Sequence, residues 1–242
     1  MLANMGLIFH TAAATDVGLG RTNNEDSFVA GRQIAAIADG IGGMPSGELA
    51  SDLAVQTLAE LDGYGGDDPL TGLQDAVARA NQHIRELAEA ESGHEGMGTT
   101  VTALLFAGGR LGLLHVGDSR CYRFRDGQLA QLTKDDTFVQ SLVDEGIITA
   151  EGARTHPRRS LVTQAVQGLD YQPTCAILEP SPGDRFLLCS DGLSDVVTDS
   201  EIEQAIAAAP DRDDCARRLI ELALDAGAPD NVTVVIADVV AD

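Results

Sequence analysis

The 242-residue chain carries 16 Lys+Arg against 38 Asp+Glu, a formal net charge of −22, which excludes a protein that grips nucleic acid through a basic face. With 44% hydrophobic residues a chain of this length can close one large core, and one domain is expected over residues 1–242. No apolar run approaches the ~20 residues of a membrane span, MLANMGLIFH lacks the basic and long apolar parts of a leader, and Cys121, Cys175, Cys189 and Cys215 have no C-x-x-C spacing, so a cytoplasmic, reducing, membrane-free setting is expected.

Short apolar runs predict strands near 7–13, 27–30 and 33–38. A first helical block follows Pro45, with Leu49, Leu53, Leu58 and Leu61 near one face. A second opens at Asp68-Pro69, a capping residue followed by proline at the first helical position. Its stripe of Leu73, Val77, Ala80, Ile84 and Leu87 has a period near 3.6. Strands are then predicted at 100–107, 111–117, 120–125 and 128–132, with Asp126-Gly127 as a tight turn. Residues 134–160 are the least regular stretch, one amphipathic set (Phe138, Leu142, Val143) followed by a polar segment ending THPRR, and read as a surface insertion. Further strands are expected at 161–165, 174–178 and 185–190. Thr198 and Glu201 have the spacing of a capping box, a last helix carries Cys215, Leu219 and Leu222 and stops at Gly227 with Pro229 beyond, and a strand closes the chain at 231–239. Segregated helices and closely spaced strands favour antiparallel sheets covered by helix pairs over a parallel βαβ fold.

Several of these strands deliver an aspartate at the tip. IAAIAD ends at Asp39, LLHVGD at Asp118 and RFLLCSD at Asp191, while Asp230 immediately precedes VTVVIAD. Carboxylates on rigid strand ends suit Mg²⁺ or Mn²⁺, which take hard oxygen ligands completed by water. The five histidines (His10, His83, His94, His115, His156) are not paired at ligand spacing, which argues against zinc. Asp-Gly is also an ordinary turn dipeptide, and Asp126 is read as one. The pattern by itself leaves open whether the other aspartates gather into one site. An acidic surface also serves plain solubility, yet bound cations would let such a protein receive an anion.

Six strings in register narrow the choice: RTNNEDS (Arg21 to Ser27), ADGIGG (Ala38 to Gly43) with Gly47-Glu48, GTTVTAL (Gly98 to Leu104), VGDSRCY (Val116 to Tyr122), SDGLSD (Ser190 to Asp195) and PDNVTVV (Pro229 to Val235). In this order they resemble the bacterial branch of the metal-dependent type 2C serine/threonine phosphatases, from about Asp16 to Val239. The resemblance implies an α+β fold, a four-layer α-β-β-α sandwich of two antiparallel sheets flanked by helix pairs, with a flap at about 134–160. It implies that Asp39 bridges two metals, that the Gly40 carbonyl joins the first, and that Asp191 and Asp230 hold the second. Asp118 with Asp191 matches a third site, so two core Mn²⁺ or Mg²⁺ ions and a further one are expected. Arg21 matches the arginine that forks onto the substrate phosphate. Glu25 and Asp26 match groups that orient waters on the metals, and Asn231 is placed with them. Gly98, Thr99 and Thr100 are read as shaping the strand that supports the site, and Ser119 as a cap or turn.

The implied activity is hydrolysis of phosphoserine and phosphothreonine by direct attack of a water shared between two cations, without a phosphoenzyme. Phosphorylated proteins are the implied substrates, a eukaryotic-like Ser/Thr kinase the implied opponent, and a monomer is expected. The chain departs from the family in having Ile41 and Met44 where members carry a histidine, so a metal-bound water, or nothing, replaces a histidine acid. Asp135-Asp136-Thr137 stands where D-H-S is common, a difference expected to leave the metal core untouched. Cysteine-based phosphatase chemistry is absent, since the residues six beyond the four cysteines are Gly127, Ser181, Asp195 and Glu221. A silent phospho-binding module on the same fold is the alternative, but it requires loss of metal ligands that are all present. A receiver-like domain is disfavoured by the missing βαβ rhythm. Arg154, Arg158 and Arg159, beside His156, are expected to contact acidic or multiply phosphorylated protein substrates.

Overall fold

The computed structural model describes residues 6–42, 46–90, 94 and 96–242. Residues 1–5 of the N-terminal string, Met44 and Pro45 lie outside the described residues. Two antiparallel sheets stack face to face. One has the order β1-β11-β10-β7-β8, formed by β1 (Leu7–Asp16), β7 (Arg120–Arg125), β8 (Gln128–Gln131), β10 (Arg185–Cys189) and β11 (Val232–Ala241). The other has the order β2-β3-β5-β6-β9, formed by β2 (Asp26–Ala30), β3 (Ile34–Ile41), β5 (Val101–Ala107), β6 (Arg110–Val116) and β9 (Thr174–Leu178), with the short β4 (Gly98–Thr99) also paired to β3. Phe9, Ile37, Leu104, Phe106, Phe186, Leu188 and Val235 fill the space between the sheets, the Phe9 and Phe106 rings packing at 4.5 Å between centroids.

Each outer sheet face is covered by helices, because each strand's alternate residues are apolar and must also leave water. The helices α1 (Ser46–Ala59) and α2 (Pro69–Ala90) bury Ala50, Ala54, Leu58, Leu73, Val77, Ala80 and Ile84 against Ile34, Ala36 and Val101. On the far side α6 (Asp199–Ala208) and α7 (Arg212–Asp225) bury Ile202, Ile206, Cys215 and Leu219 against Leu187, Val234 and Ile236. The result is the α-β-β-α sandwich. Both late helices start as their sequences dictate: Thr198 and Glu201 form the reciprocal capping box, and Asp211 caps α7. Asp68 accepts from the Thr71 hydroxyl at 2.7 Å. Asp126 (φ 53°) and Gly127 (φ 78°) make the tight β7–β8 turn. All four cysteines are free.

Two expectations need correcting. Residues 161–165 are not a strand: Val162 bridges Thr137 and Val166 bridges Thr99, so the segment is tied at its two ends to different partners and no continuous ladder can form. The strand expected at 185–190 stops at Cys189, one residue early. The chain then enters a one-turn helix, α5 (Asp191–Ser194), with Asp191 as its first residue. Between β8 and β9 lie α3 (Phe138–Asp144) and α4 (Ala150–Arg154), capped by Thr137 and Thr149. Among the described residues no helix is long and apolar enough to cross a membrane.

Candidate active site

The strand ends carrying the aspartates meet at one pole of the sandwich. Arg21, Glu25, Asp39, Gly40, Asp118, Asp191, Asp230 and Asn231 all line one cleft of about 370 Å³. Backbone contacts explain why glycine follows two of these aspartates. A methyl at Gly40 would overlap the Gly47 carbonyl at the start of α1, and one at Gly192 would overlap the Asn231 carbonyl, so each Asp-Gly lets a second chain segment close over the carboxylate. Asp39 is further fixed from β4 and β5. Its N–H donates to Thr100 Oγ1 at 3.0 Å, its carbonyl accepts from the Thr99 hydroxyl at 2.9 Å, and Thr100 Oγ1 pairs with Ser119 Oγ at 2.8 Å. The GTT string therefore holds the site without contributing chemistry, and Ser119 is part of the same scaffold.

Asn231 is a staple. Its Nδ2 donates to the Val17 and Asn23 carbonyls at 2.9 and 2.8 Å, and its Oδ1 accepts from Glu25 N at 2.8 Å. Three bonds from one buried side chain tie the loop bearing Arg21 and Glu25 to the start of β11. Glu25 Oε1 accepts from Asn23 Nδ2 at 3.0 Å. Arg21 Nη2 donates to Asp230 Oδ2 at 2.7 Å, with the arginine half exposed and its head at the cleft.

The electrostatics are those of a site built for cations. Asp26 and Asp39 stand directly opposite each other on β2 and β3, an arrangement that like charges disfavour. Burial, then the charges of Asp26, Asp191, Asp118 and Asp230, push Asp39 well above the usual carboxylate range. Burial, then Asp118, Asp195 and Asp230, do the same to Asp191. Asp118 is pushed up to about 7 by burial and by Asp135 and Asp195. Asp26 is pushed up to about 6, mainly by burial. Its Oδ2 accepts from the Ser190 hydroxyl at 2.8 Å while its buried Oδ1 has no partner. A cluster of mutually repelling carboxylates with an orphaned oxygen fits divalent cations. Among the described residues no three His, Cys, Asp or Glu side chains form a ready cage. The cleft lining supplies carboxylate and backbone oxygens from Asp39, Gly40, Asp118, Asp191 and Asp230, the hard-oxygen ligand type that Mg²⁺ and Mn²⁺ take.

The chain from Arg21 to Leu222 matches the family described as Protein phosphatase 2C, residues 21–222. The chain belongs to the protein phosphatase 2C family. It is 55% identical over 240 residues to the serine/threonine protein phosphatase PstP of Mycobacterium tuberculosis, an alignment covering 99% of this chain and 46% of PstP, so it spans about half the length of that relative. It is 35% identical to the protein phosphatase PhpP of Streptococcus pneumoniae, covering 91% of this chain and 93% of PhpP. A crystal structure of the PstP catalytic domain in complex with two manganese ions superposes with a TM-score of 0.91 at 54% identity, covering 97% of this chain and 99% of that one.

Several cleft residues of this 2C-family chain were not singled out by its sequence. Residues 160–165 and Gln167 line the same cleft as the carboxylates, and no histidine lines it among the described residues; Ile41 stands there instead. Asp195 crowds Asp118 and Asp191. The signal was present in SDGLSD, where Asp195 follows Asp191 by four residues and donates its N–H to the Asp191 carbonyl at 2.8 Å. Asp135 and Asp136 do not line the carboxylate cleft, but both bind residues that flank Asp118. Asp135 pairs with Arg120 at 2.7 Å, and Asp136 Oδ2 accepts from Gly117 N at 2.9 Å.

The three arginines of the 134–160 segment do not converge on the carboxylate cleft. Arg159 Nε lies 3.3 Å from Asp195 Oδ2, Arg154 donates to the Asp195 carbonyl at 3.3 Å, and Arg158 stacks over Phe138 at 5.7 Å. Arg154 and Arg159 border a second groove of about 340 Å³ that shares Asp118, Ser160 and Asp191 with the first.

Proposed function

We propose that this chain is a metal-dependent protein-serine/threonine phosphatase that hydrolyses phosphoserine and phosphothreonine directly, without a phosphoenzyme. The observation carrying this reading is the gathering of Asp39, Asp118, Asp191 and Asp230 with Arg21 around one cleft. Asp39, the Gly40 carbonyl, Asp191 and Asp230 would hold two Mn²⁺ or Mg²⁺ ions, and Asp118 with Asp191 would hold a third. When bound, the cations supply an activated water and neutralise phosphoryl charge. Arg21 leaves Asp230 to fork onto the phosphoryl oxygens, where charge accumulates in the transition state. Glu25 and Asp26 orient water through their free oxygens, and Asn231 fixes the loop that carries Arg21 and Glu25. With Ile41 in the cleft, no histidine protonates the leaving alkoxide.

The same reading extends to the setting. Residues 1–242 form one catalytic domain with a flap at 134–160, acting as a monomer in the cytoplasm on phosphorylated proteins and opposing a eukaryotic-like Ser/Thr kinase in bacterial signalling. Arg154, Arg158 and Arg159 meet acidic or multiply phosphorylated substrates at the flap. Turnover of a phosphothreonine peptide tests the proposal: phosphate release that depends on added Mn²⁺ in the wild type and is lost in Asp39→Ala supports it. Metal-independent turnover, or an equally active variant, rejects it.

A further inference from the structure

The stem of the 134–160 segment is fastened to the loop bearing Asp118 by three consecutive residues. The Lys134 carbonyl lies 3.0 Å from His115 Nε2. The Asp135 carboxylate accepts from Arg120 Nε and Nη2 at 2.9 and 2.7 Å. Asp136 pairs with Gly117 in both directions, its N–H donating to the Gly117 carbonyl at 2.7 Å and its Oδ2 accepting from Gly117 N at 2.9 Å. These rungs fall at 115, 117 and 120 and straddle Asp118. The stem's other edge binds the cleft wall: Thr163 N donates to the Asp136 carbonyl at 2.7 Å, Phe138 N to the Leu161 carbonyl at 2.9 Å, and Thr137 bridges Val162. Leu161, Val162 and Thr163 line the cleft together with Asp39, Asp118, Asp191 and Asp230.

The loop needs such fastening. Gly117 has φ 107°, and a side chain there would strike Thr100, so the turn is tight. Asp118 is buried and lies between Gly117 and Arg120, the two residues that the stem's carboxylates grip. Arg120 offsets Asp135, and the reciprocal Asp136–Gly117 pair supplies the tie.

We propose that Lys134-Asp135-Asp136 is a positioning clamp that joins the Asp118 carboxylate and the cleft wall at 161–163 into one mechanical unit, so that the flap stem sets how tightly the outer cation is held. The cation part rests on the phosphatase reading above; the mechanical part does not. Hydrogen exchange read residue by residue on the metal-free protein tests the mechanical part. Asp136→Ala removes a charged acceptor from a buried N–H, so exchange at Gly117 and at Thr163 rises about tenfold or more. Asp136→Asn, whose amide oxygen still accepts from Gly117 N, restores most of the protection. Calorimetric titration with Mn²⁺ tests the other part: the weakest binding step loosens about tenfold in Asp136→Ala and recovers in Asp136→Asn. Should Asp136→Ala not fold, Asp136→Ser, whose shorter side chain gives up the Gly117 rung while keeping a polar group in place, gives the same two readouts in the same direction. Unchanged exchange at Thr163, or a Mn²⁺ isotherm identical to wild type, overturns the clamp. A wild type that takes up no Mn²⁺ instead overturns the phosphatase reading, and the exchange result then stands by itself.

Discussion

Asp118 gives the most quantitative handle on the site. Without metal, its carboxyl rises from an ordinary 3.8 to about 7, and at about 1.4 kcal/mol per pH unit the ionised form costs the folded protein on the order of 4 kcal/mol. A folded-state pKa above the unfolded value means that the folded protein binds the proton more tightly. The contribution is therefore complete below about pH 4 and is lost as pH rises through 7, with roughly 2 to 3 kcal/mol of the loss between pH 5 and pH 8. Asp39, Asp191 and Asp26 are raised as well and add to the loss. Buried His115, whose pKa is lowered by burial, acts in the opposite sense, gaining stability as pH rises. Because His115 is common to wild type and Asp118→Asn, the difference between the two removes its contribution and reports Asp118 together with the repulsion it exerts on Asp191 and Asp39. Urea unfolding in EDTA at pH 5 and pH 8 is the assay. The wild type loses about 2 kcal/mol more than Asp118→Asn over that interval, and Mn²⁺ at pH 8 reverses the loss in the wild type. Equal pH dependence in the two proteins would refute the picture of a carboxylate held under strain for a cation.

Other expectations follow from single contacts. Asn231→Ala leaves Glu25 N–H and two carbonyls unpaired, costing about 2 to 4 kcal/mol and lowering Tm by roughly 5 to 15 °C in a thermal melt. Arg21→Ala lowers kcat/KM on a phosphopeptide about a hundredfold; Arg21→Lys recovers only part, because an ammonium cannot fork onto two oxygens. Steady-state kinetics check both. Replacing Arg154, Arg158 and Arg159 together with Ala raises KM on a phosphoprotein about fivefold more (about 1 kcal/mol) than on a small aryl phosphate. Equal changes on the two substrates reject a substrate role for the flap arginines.

What the sequence made legible was whatever depends on local pattern. Strands that are apolar on both faces, the Asp68-Pro69 start, the Thr198-Glu201 box and the Gly227 stop follow from side-chain periodicity and capping chemistry acting within a few residues. The carboxylates were legible as candidates because each ends an apolar run, and their gathering became an expectation only through the resemblance. Features that depend on distant partners were not legible. Residues 161–165 have a strand's composition, but only Val162 is bridged, to Thr137, and the next bridge, Val166 to Thr99, belongs to a different partner. Asp136 looks like any polar loop residue until Gly117 is placed against it. Asn231 reads as a turn residue, and only folding brings Val17, Asn23 and Glu25 within reach of its amide.

The central claim is that Asp39, Asp191 and Asp230 surround divalent cations beside Arg21. Crystals grown in manganese and measured at its absorption edge test it most directly. Anomalous peaks are expected between Asp39, the Gly40 carbonyl, Asp191 and Asp230, with a weaker one beside Asp118. An empty cleft at millimolar manganese, with Arg21 still bound to Asp230, would contradict it.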